Sequence, residues 1–400
     1  MTENTEVVVI GGGYAGVMAA NRLTQRDDVR VTLINPRPTF VERIRLHQLV
    51  GGSDDAVVDY RDVLAQSIRL VVDTVTRIDA PRRAVTLATG ATVGYDYLIY
   101  AVGSRSADRV VPGAAEFAFP IADLEQAQQL RSALDATPST APVTVVGAGP
   151  SGIETAAELA ESGRAVTLLC GGVLGPYLHP RGRSSVAAQL ARLGVTVLDG
   201  PASTATRVTP YAVELSDGST RASAVTIWTA GFTVPDLAVR SGLTTDARGR
   251  LLTDETLTSV DDERIVAAGD SAAPSDLPFR MSCQAAGPLG AHAADTVLNR
   301  IGGEEPTPIA LGFAGQCISL GRRSGIFQFA HRDDTATRFA LGGRAGAGLK
   351  QLVCWGTVKQ LTDEARKPGS LTWAWSKDDK RRQLLGAGIG ETSTSAGRTI

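Results

Sequence analysis

A chain of 400 residues is too long for one ordinary hydrophobic core and points to two or three domains. Hydrophobic residues at 43% and charged residues at 20% exclude a disordered chain, and a net charge of -2 excludes a general bias towards nucleic acid. The 43 glycines exceed the usual share of about 7% without a Gly-X-Y period, which excludes collagen and leaves positions where a folded backbone needs glycine.

Met1 to Glu6 is polar and acidic, unlike a signal peptide, and no apolar run approaches the roughly 20 residues that span a bilayer. The expected location is cytoplasmic, with attachment to the cytoplasmic face of a membrane as the alternative. Cys170, Cys283, Cys317 and Cys354 contain no close pair, which excludes a disulfide scaffold and fits a reducing compartment. None of the four histidines lies near a cysteine or another histidine, so no metal site is expected.

Glu6–Ile10 is a short apolar run of the kind found in buried parallel strands. Gly11-Gly-Gly-Tyr-Ala-Gly16 follows, then a helix from Val17 to Leu23 and a strand from Val29 to Ile34, together one βαβ unit. The same order recurs with a strand at Val143–Val146, the turn Gly147-Ala-Gly-Pro-Ser-Gly152, a helix at Ile153–Ser162 and a strand at Ala165–Leu169. Between the copies, Val71–Val102 alternates β-like runs with turns at Ala80–Arg83 and Thr89–Gly90. Further on, a helix is expected over Gln284–Asn299, β-rich sequence over Pro308–Leu341, and an amphipathic helix over Gly348–Arg366 with Leu349, Leu352, Val353 and Leu361 on its apolar side. The last fifteen residues are rich in Gly, Ser and Thr and read as a disordered tail.

One GxGxxG is weak on its own, since this glycine content gives about 0.5 by chance. Two copies, each after a strand and opening a helix, are specific. The first glycine (Gly11, Gly147) permits the tight turn, the second (Gly13, Gly149) lets backbone approach a pyrophosphate, and the third (Gly16, Gly152) lets helix and strand pack closely. The helix N-terminus then offers free N–H groups to the phosphates, with Tyr14 and Ala15 beside them. The acid usual at the end of each second strand is missing: Asn35 and Cys170 stand there. Arg181 and Arg183 follow Cys170, so both NADH and NADPH stay open, although a solvated helix start is the simpler explanation of these arginines.

With these motifs the chain resembles the pyridine nucleotide–disulfide oxidoreductase superfamily of two-dinucleotide flavoproteins. Tyr95–Gly103 resembles the junction leaving the FAD domain, Val225–Gly231 the return junction, and Ile265–Asp270, with Gly269 and Asp270, the second FAD motif. The resemblance implies an α/β fold of two Rossmann-like domains, the second inserted in the first, plus a C-terminal α+β region. The expected division is an FAD-binding part over 1–112, an NAD(P)H-binding domain over 113–232, the rest of the FAD domain over 233–306, and a C-terminal domain over 307–400. Neither redox cysteine pair of the disulfide reductases is present. Ser282–Gly287 resembles the segment beside flavin and quinone in type II NADH dehydrogenases and apoptosis-inducing-factor relatives, which carries over to Gln284 and Ala285. Glu154 and Glu158 resemble the nicotinamide-domain helix, where a glutamate reaches the flavin, although an acid there also suits the helix dipole.

The implied activity is hydride transfer from NADH or NADPH to FAD and electron transfer to a quinone-like acceptor, with Glu154, Gln284 and His47 as candidate catalytic residues. Arg43 is placed beside the cofactor. A reductase for a ferredoxin or rubredoxin, or a slow redox sensor, are the alternatives. From Arg338 to Ile400 the chain carries a net charge of +6 and Trp355, Trp373 and Trp375. That composition suits peripheral membrane contact or a homodimer interface.

Overall fold

Alternation of short β-branched runs with Ala- and Gly-rich helical segments builds two parallel sheets, each buried on both faces. The computed structural model describes residues 4–373 and 379–387. In the first sheet, Thr5–Ile10 pairs in parallel with Val29–Asn35 on one side and Tyr97–Tyr100 on the other. Arg69–Val72 closes one edge, and Ile265–Ala267 closes the other. That last strand arrives only after the second unit is complete, so the second unit is inserted in the first.

Helix α1 (Tyr14–Leu23) covers one face with nine of its ten residues buried. A short helix, α2 (Leu46–Gly51), reaches from this unit towards the second. The second sheet runs Ala118–Pro120, Val225–Trp228, Val143–Val146, Val166–Leu169, Thr196–Leu198, again all parallel. Helix α3 (Pro150–Glu161) stands to it as α1 stands to the first sheet, with proline in its first turn, where no backbone N–H is missed. Each unit also carries a three-stranded antiparallel meander, 75–94 in the first and 205–222 in the second. The turns expected at Ala80–Arg83 and Thr89–Gly90 connect the first meander.

Helix α4 (Cys283–Gly302) begins at Ser282, whose hydroxyl accepts the Ala285 N–H, and ends at left-handed Gly303. It crosses α1 so closely that a Cβ at Gly290 would overlap the Ala15 carbonyl. Beyond it, Gly315–Ser319, Gly325–Ala330 and Ala336–Gly342 form an antiparallel sheet, and α5 (Gly343–Arg366) lies across that sheet and α1.

The buried side of α5 differs from the amphipathic expectation. Leu352 is exposed, whereas Lys350 and Glu364 are buried with Cys354 and Leu361. Tertiary charge partners turn the helix this way. Glu364 meets Arg22 of α1 at 3.2 Å and accepts N–H groups from Gly369 and Leu371, while Arg22 also binds Asp295 of α4 at 2.6 Å. Trp355 is exposed, whereas Trp373 packs against the first core beside α4. Trp375 and most of the expected disordered tail lie outside the described residues.

Gly290→Ala forces α1 and α4 apart and is expected to lower unfolding stability by about 2 kcal/mol. Chemical denaturation checks this, and a midpoint equal to wild type would refute the close-approach account.

Candidate functional site

Both glycine loops divide the labour among their glycines in the same way. Gly11 has φ +102°, and a Cβ there would strike the Ala101 carbonyl; a Cβ at Gly16 would overlap the Gly11 carbonyl. Gly147 has φ +112°, a Cβ there would lie 2.6 Å from Thr229 Oγ1, and one at Gly152 would overlap the Gly147 carbonyl. The chain itself therefore requires the outer glycines. Gly13 and Gly149 differ, since a Cβ on either would meet nothing within 4 Å. They are the N-caps of α1 and α3 and offer no side chain to the first helical N–H groups. Open space at an uncapped helix start fits a pyrophosphate at both loops.

Around the first loop, Asn35 Oδ1 accepts the Gly12 N–H at 3.0 Å, and its Nδ2 donates to the Arg37 carbonyl. Tyr60 donates to the Gly12 carbonyl at 2.8 Å. Asn35 therefore braces the loop, with one Nδ2 hydrogen left for a ribose hydroxyl. Tyr14 and Ala15 are buried, Tyr14 edge-on to Phe40 at 5.0 Å. Gly103, Ser104, Arg43 and Asp270 converge from three segments. Arg43 Nη1 donates to Ser104 Oγ at 3.0 Å, Ser104 donates to Asp270 at 2.6 Å, and Asp270 lies 3.9 Å from Arg43. Gly269 sets Asp270 beside the loop, where its Cβ would come within 2.9 Å of Ala15. Gly231 lies at the return crossing, where Arg105–Ser106 pairs with Phe232–Thr233 and holds the two connections together.

The strongest electrostatics centre on Glu154, on the second turn of α3 and buried. Its Oε1 accepts from Lys350 Nζ and from the Ser319 N–H, both at 2.9 Å. Its Oε2 lies 3.6 Å from His47 Nδ1, an electrostatic rather than a hydrogen-bond distance. Burial pulls the Glu154 carboxyl upwards, but Lys350 and His47 hold it below its ordinary value. Burial acts against the Lys350 ammonium, and Glu154 reverses that effect. At His47 burial wins over Glu154 and pushes the imidazole down to about 4, so it is neutral at physiological pH. Its Nε2 has no hydrogen-bond partner among the described residues.

Glu158, one turn on, accepts from Ser53 at 2.5 Å and lies 3.4 Å from Arg322, and burial raises its carboxyl. It ties α2 to the hairpin after Gly315–Ser319. Gln284 departs from the catalytic expectation. In the amide orientation that satisfies both ends, it donates to the Gly315 carbonyl and accepts the Ala314 N–H, each at 2.9 Å. Its amide joins α4 to the C-terminal sheet, and Ala285 is buried beside it. Cys283, Cys317 and Cys354 flank Lys350 along these segments. Burial raises all three thiols, Cys283 to about 12.

His47 and Glu154, chosen from sequence, are thus brought together, whereas Lys350, Ser319, Ser104 and Tyr60 were missed. Lys350 had a signal, since it shares an i, i+4 row with Gly346 and Cys354 inside a helix expected to be amphipathic.

A family model described as pyridine nucleotide-disulphide oxidoreductase matches residues 5–294. A NADH dehydrogenase-like protein of Mycobacterium tuberculosis is 31% identical over 355 residues, covering 81% of this chain and 87% of the relative. A type II NADH:quinone oxidoreductase of Staphylococcus haemolyticus is 25% identical, covering 84% and 93%. The solved structure of NDH2 from Plasmodium falciparum in complex with NADH superposes with a TM-score of 0.75 at 16% identity, covering 93% of this chain and 99% of that one.

Lys350→Met leaves the Glu154 carboxylate buried without its cation and is expected to cost about 3–5 kcal/mol, read by denaturation. Adding Glu154→Gln should recover most of that loss, and no recovery would argue against the pair.

Between pH 6.5 and 4 the unfolded chain binds a proton at His47 that the folded chain refuses, so stability falls on acidification, by about 3 kcal/mol across the window. His47→Asn should flatten that slope, and an unchanged slope would place the titration elsewhere.

Proposed function

The chain belongs to the pyridine nucleotide-disulphide oxidoreductase family, and on that premise we propose that it is a flavin-dependent NAD(P)H dehydrogenase with a quinone-like acceptor. The observation that carries the reading is the pair of matched cradles at Gly13 and Gly149, each open at an uncapped helix start. FAD fits the first and the nicotinamide nucleotide the second. FAD, when bound, supplies the redox chemistry, taking a hydride from the nicotinamide and passing two electrons on.

The protein's own residues bind and orient. Tyr60 and Asn35 fix the first loop and leave the uncapped N–H groups at the start of α1 to hold a pyrophosphate when it binds. Arg43 and Asp270, linked through Ser104, put one cation and one anion beside the same cofactor. Glu154, Lys350 and His47 form a dry, charged wall between the second unit and the C-terminal helix. With its Nδ1–H turned towards Glu154, neutral His47 offers the unshared pair of Nε2 to a hydrogen-bond donor. Lys350 and His47 meet the same carboxylate, Lys350 at Oε1 and His47 near Oε2.

The relatives named for NADH and quinone support this choice of substrates. A groove of about 440 Å³ between Glu42 and Arg45 on one side and Trp355, Val358 and Lys359 of α5 on the other is our candidate approach for the acceptor. Burial keeps the three nearby thiols protonated, which suits packing better than a dithiol relay. No helix among the described residues is long and apolar enough to cross a membrane.

Freshly purified protein should carry FAD absorbance near about 450 nm, a band typical of a flavin in its oxidised form. Rapid mixing with NADH should bleach the band, and a short-chain quinone should restore it. Protein without flavin would refute the reading; reoxidation by a ferredoxin but not by quinone would favour the protein-reductase alternative, and bleaching without multiple turnovers the sensor.

A further inference from the structure

The second nucleotide cradle lacks the acid that normally meets the adenosine ribose, because Cys170 stands at the end of Val166–Leu169. The neighbouring strand supplies one. Leu169 is paired in parallel with Leu198, and the Cys170 N–H donates to the Leu198 carbonyl at 2.9 Å. Cys170 and Asp199 therefore leave the sheet side by side. Asp199 is exposed and close enough to add to burial in pushing the Cys170 thiol up to about 12.

The loops at this edge face the cradle. Gly171 and Gly172 are held to the turn after Asp199 by the Gly171 N–H to Ser203 Oγ and by the Gly200 N–H to the Gly172 carbonyl. Three residues past Gly172, the Gly175 N–H donates to Ala148 O, inside the glycine loop itself. The edge where Asp199 emerges is thus fastened to the loop that receives the pyrophosphate.

The stretch directly after Cys170 offers a 2′-phosphate few cations. Residues 171–180 contain no Lys or Arg. Arg181 is exposed at the following helix start, and the half-buried Arg183 guanidinium is turned to the Leu178 carbonyl at 3.3 Å. A carboxylate accepts from a ribose diol but repels a phosphate.

Resting on the nucleotide-binding part of the function proposed above, we propose that Asp199 takes the place of the missing strand-end acid, binds the adenosine ribose diol, and makes the chain select NADH over NADPH.

The test titrates ADP-ribose and 2′-phospho-ADP-ribose into the full, FAD-loaded chain by calorimetry, and measures flavin reduction by NADH and NADPH on the same sample. Wild type should bind ADP-ribose about ten- to hundredfold more tightly, the worth of one hydrogen bond to a charged group. Asp199→Asn should shrink that ratio about tenfold and raise the KM for NADH with kcat held. Cys170→Asp in the Asp199→Asn background should restore the ratio by returning an acid to the usual strand end. Equal binding of the two ligands by wild type, or an unchanged ratio in Asp199→Asn, would overturn the proposal. ADP-ribose binding of the expected kind without flavin reduction by either nucleotide would instead overturn the dehydrogenase reading and leave the Asp199 assignment standing.

Discussion

The arrangement depends on one buried ion pair. Glu154 comes from the inserted unit, Lys350 from the last long helix and His47 from the first unit, so three separate lengths of chain meet at one carboxylate. Taking these groups out of water is costly, and their attraction offsets the cost only when the pairing geometry is kept. Together with the Arg22–Glu364 pair, that requirement fixes the rotation of α5, which carries a lysine rather than Leu352 into the interior. Burial of the same site keeps His47 neutral, with the Lys350 charge adding to the effect.

Close backbone approach is the second constraint, and it explains part of the glycine content. Outer glycines of the two loops are packed against their own return strands, and Gly290 lets α4 cross α1. The central glycines are different in kind, since a Cβ on either would meet nothing in the chain, which fits the open cradle proposed for a pyrophosphate. Gly12 is an intermediate case: a side chain there would collide with Tyr60 and Asn35, the two residues that brace the loop.

Coupling between the units follows from these contacts. Glu158 is held by Ser53 at the end of α2 and approached by Arg322 from the C-terminal hairpin, while the crossings near Gly103 and Gly231 are paired as short strands. A nucleotide on the second loop and a cofactor on the first would therefore be carried on elements that share side-chain contacts, with Glu154 between them.

The two βαβ units and their glycine loops were legible in the sequence, from local periodicity and from backbone demands that only glycine meets, both written within a few neighbouring residues. The insertion of one unit in the other and the choice of Glu154 came from resemblance to a family, and the strand Ile265–Ala267 at the edge of the first sheet is what shows the insertion. Tertiary structure decided which face of α5 is buried, that Asn35 braces a loop, that Gln284 joins a helix to a sheet, and that Asp199 stands beside Cys170. Each of these depends on partners distant in the chain or on an adjacent strand, from 23 residues in the Asn35–Gly12 bond to 342 in the Arg22–Glu364 pair. Local patterns cannot encode them, because the energy of a buried charge or amide is set by what the folded chain brings opposite it.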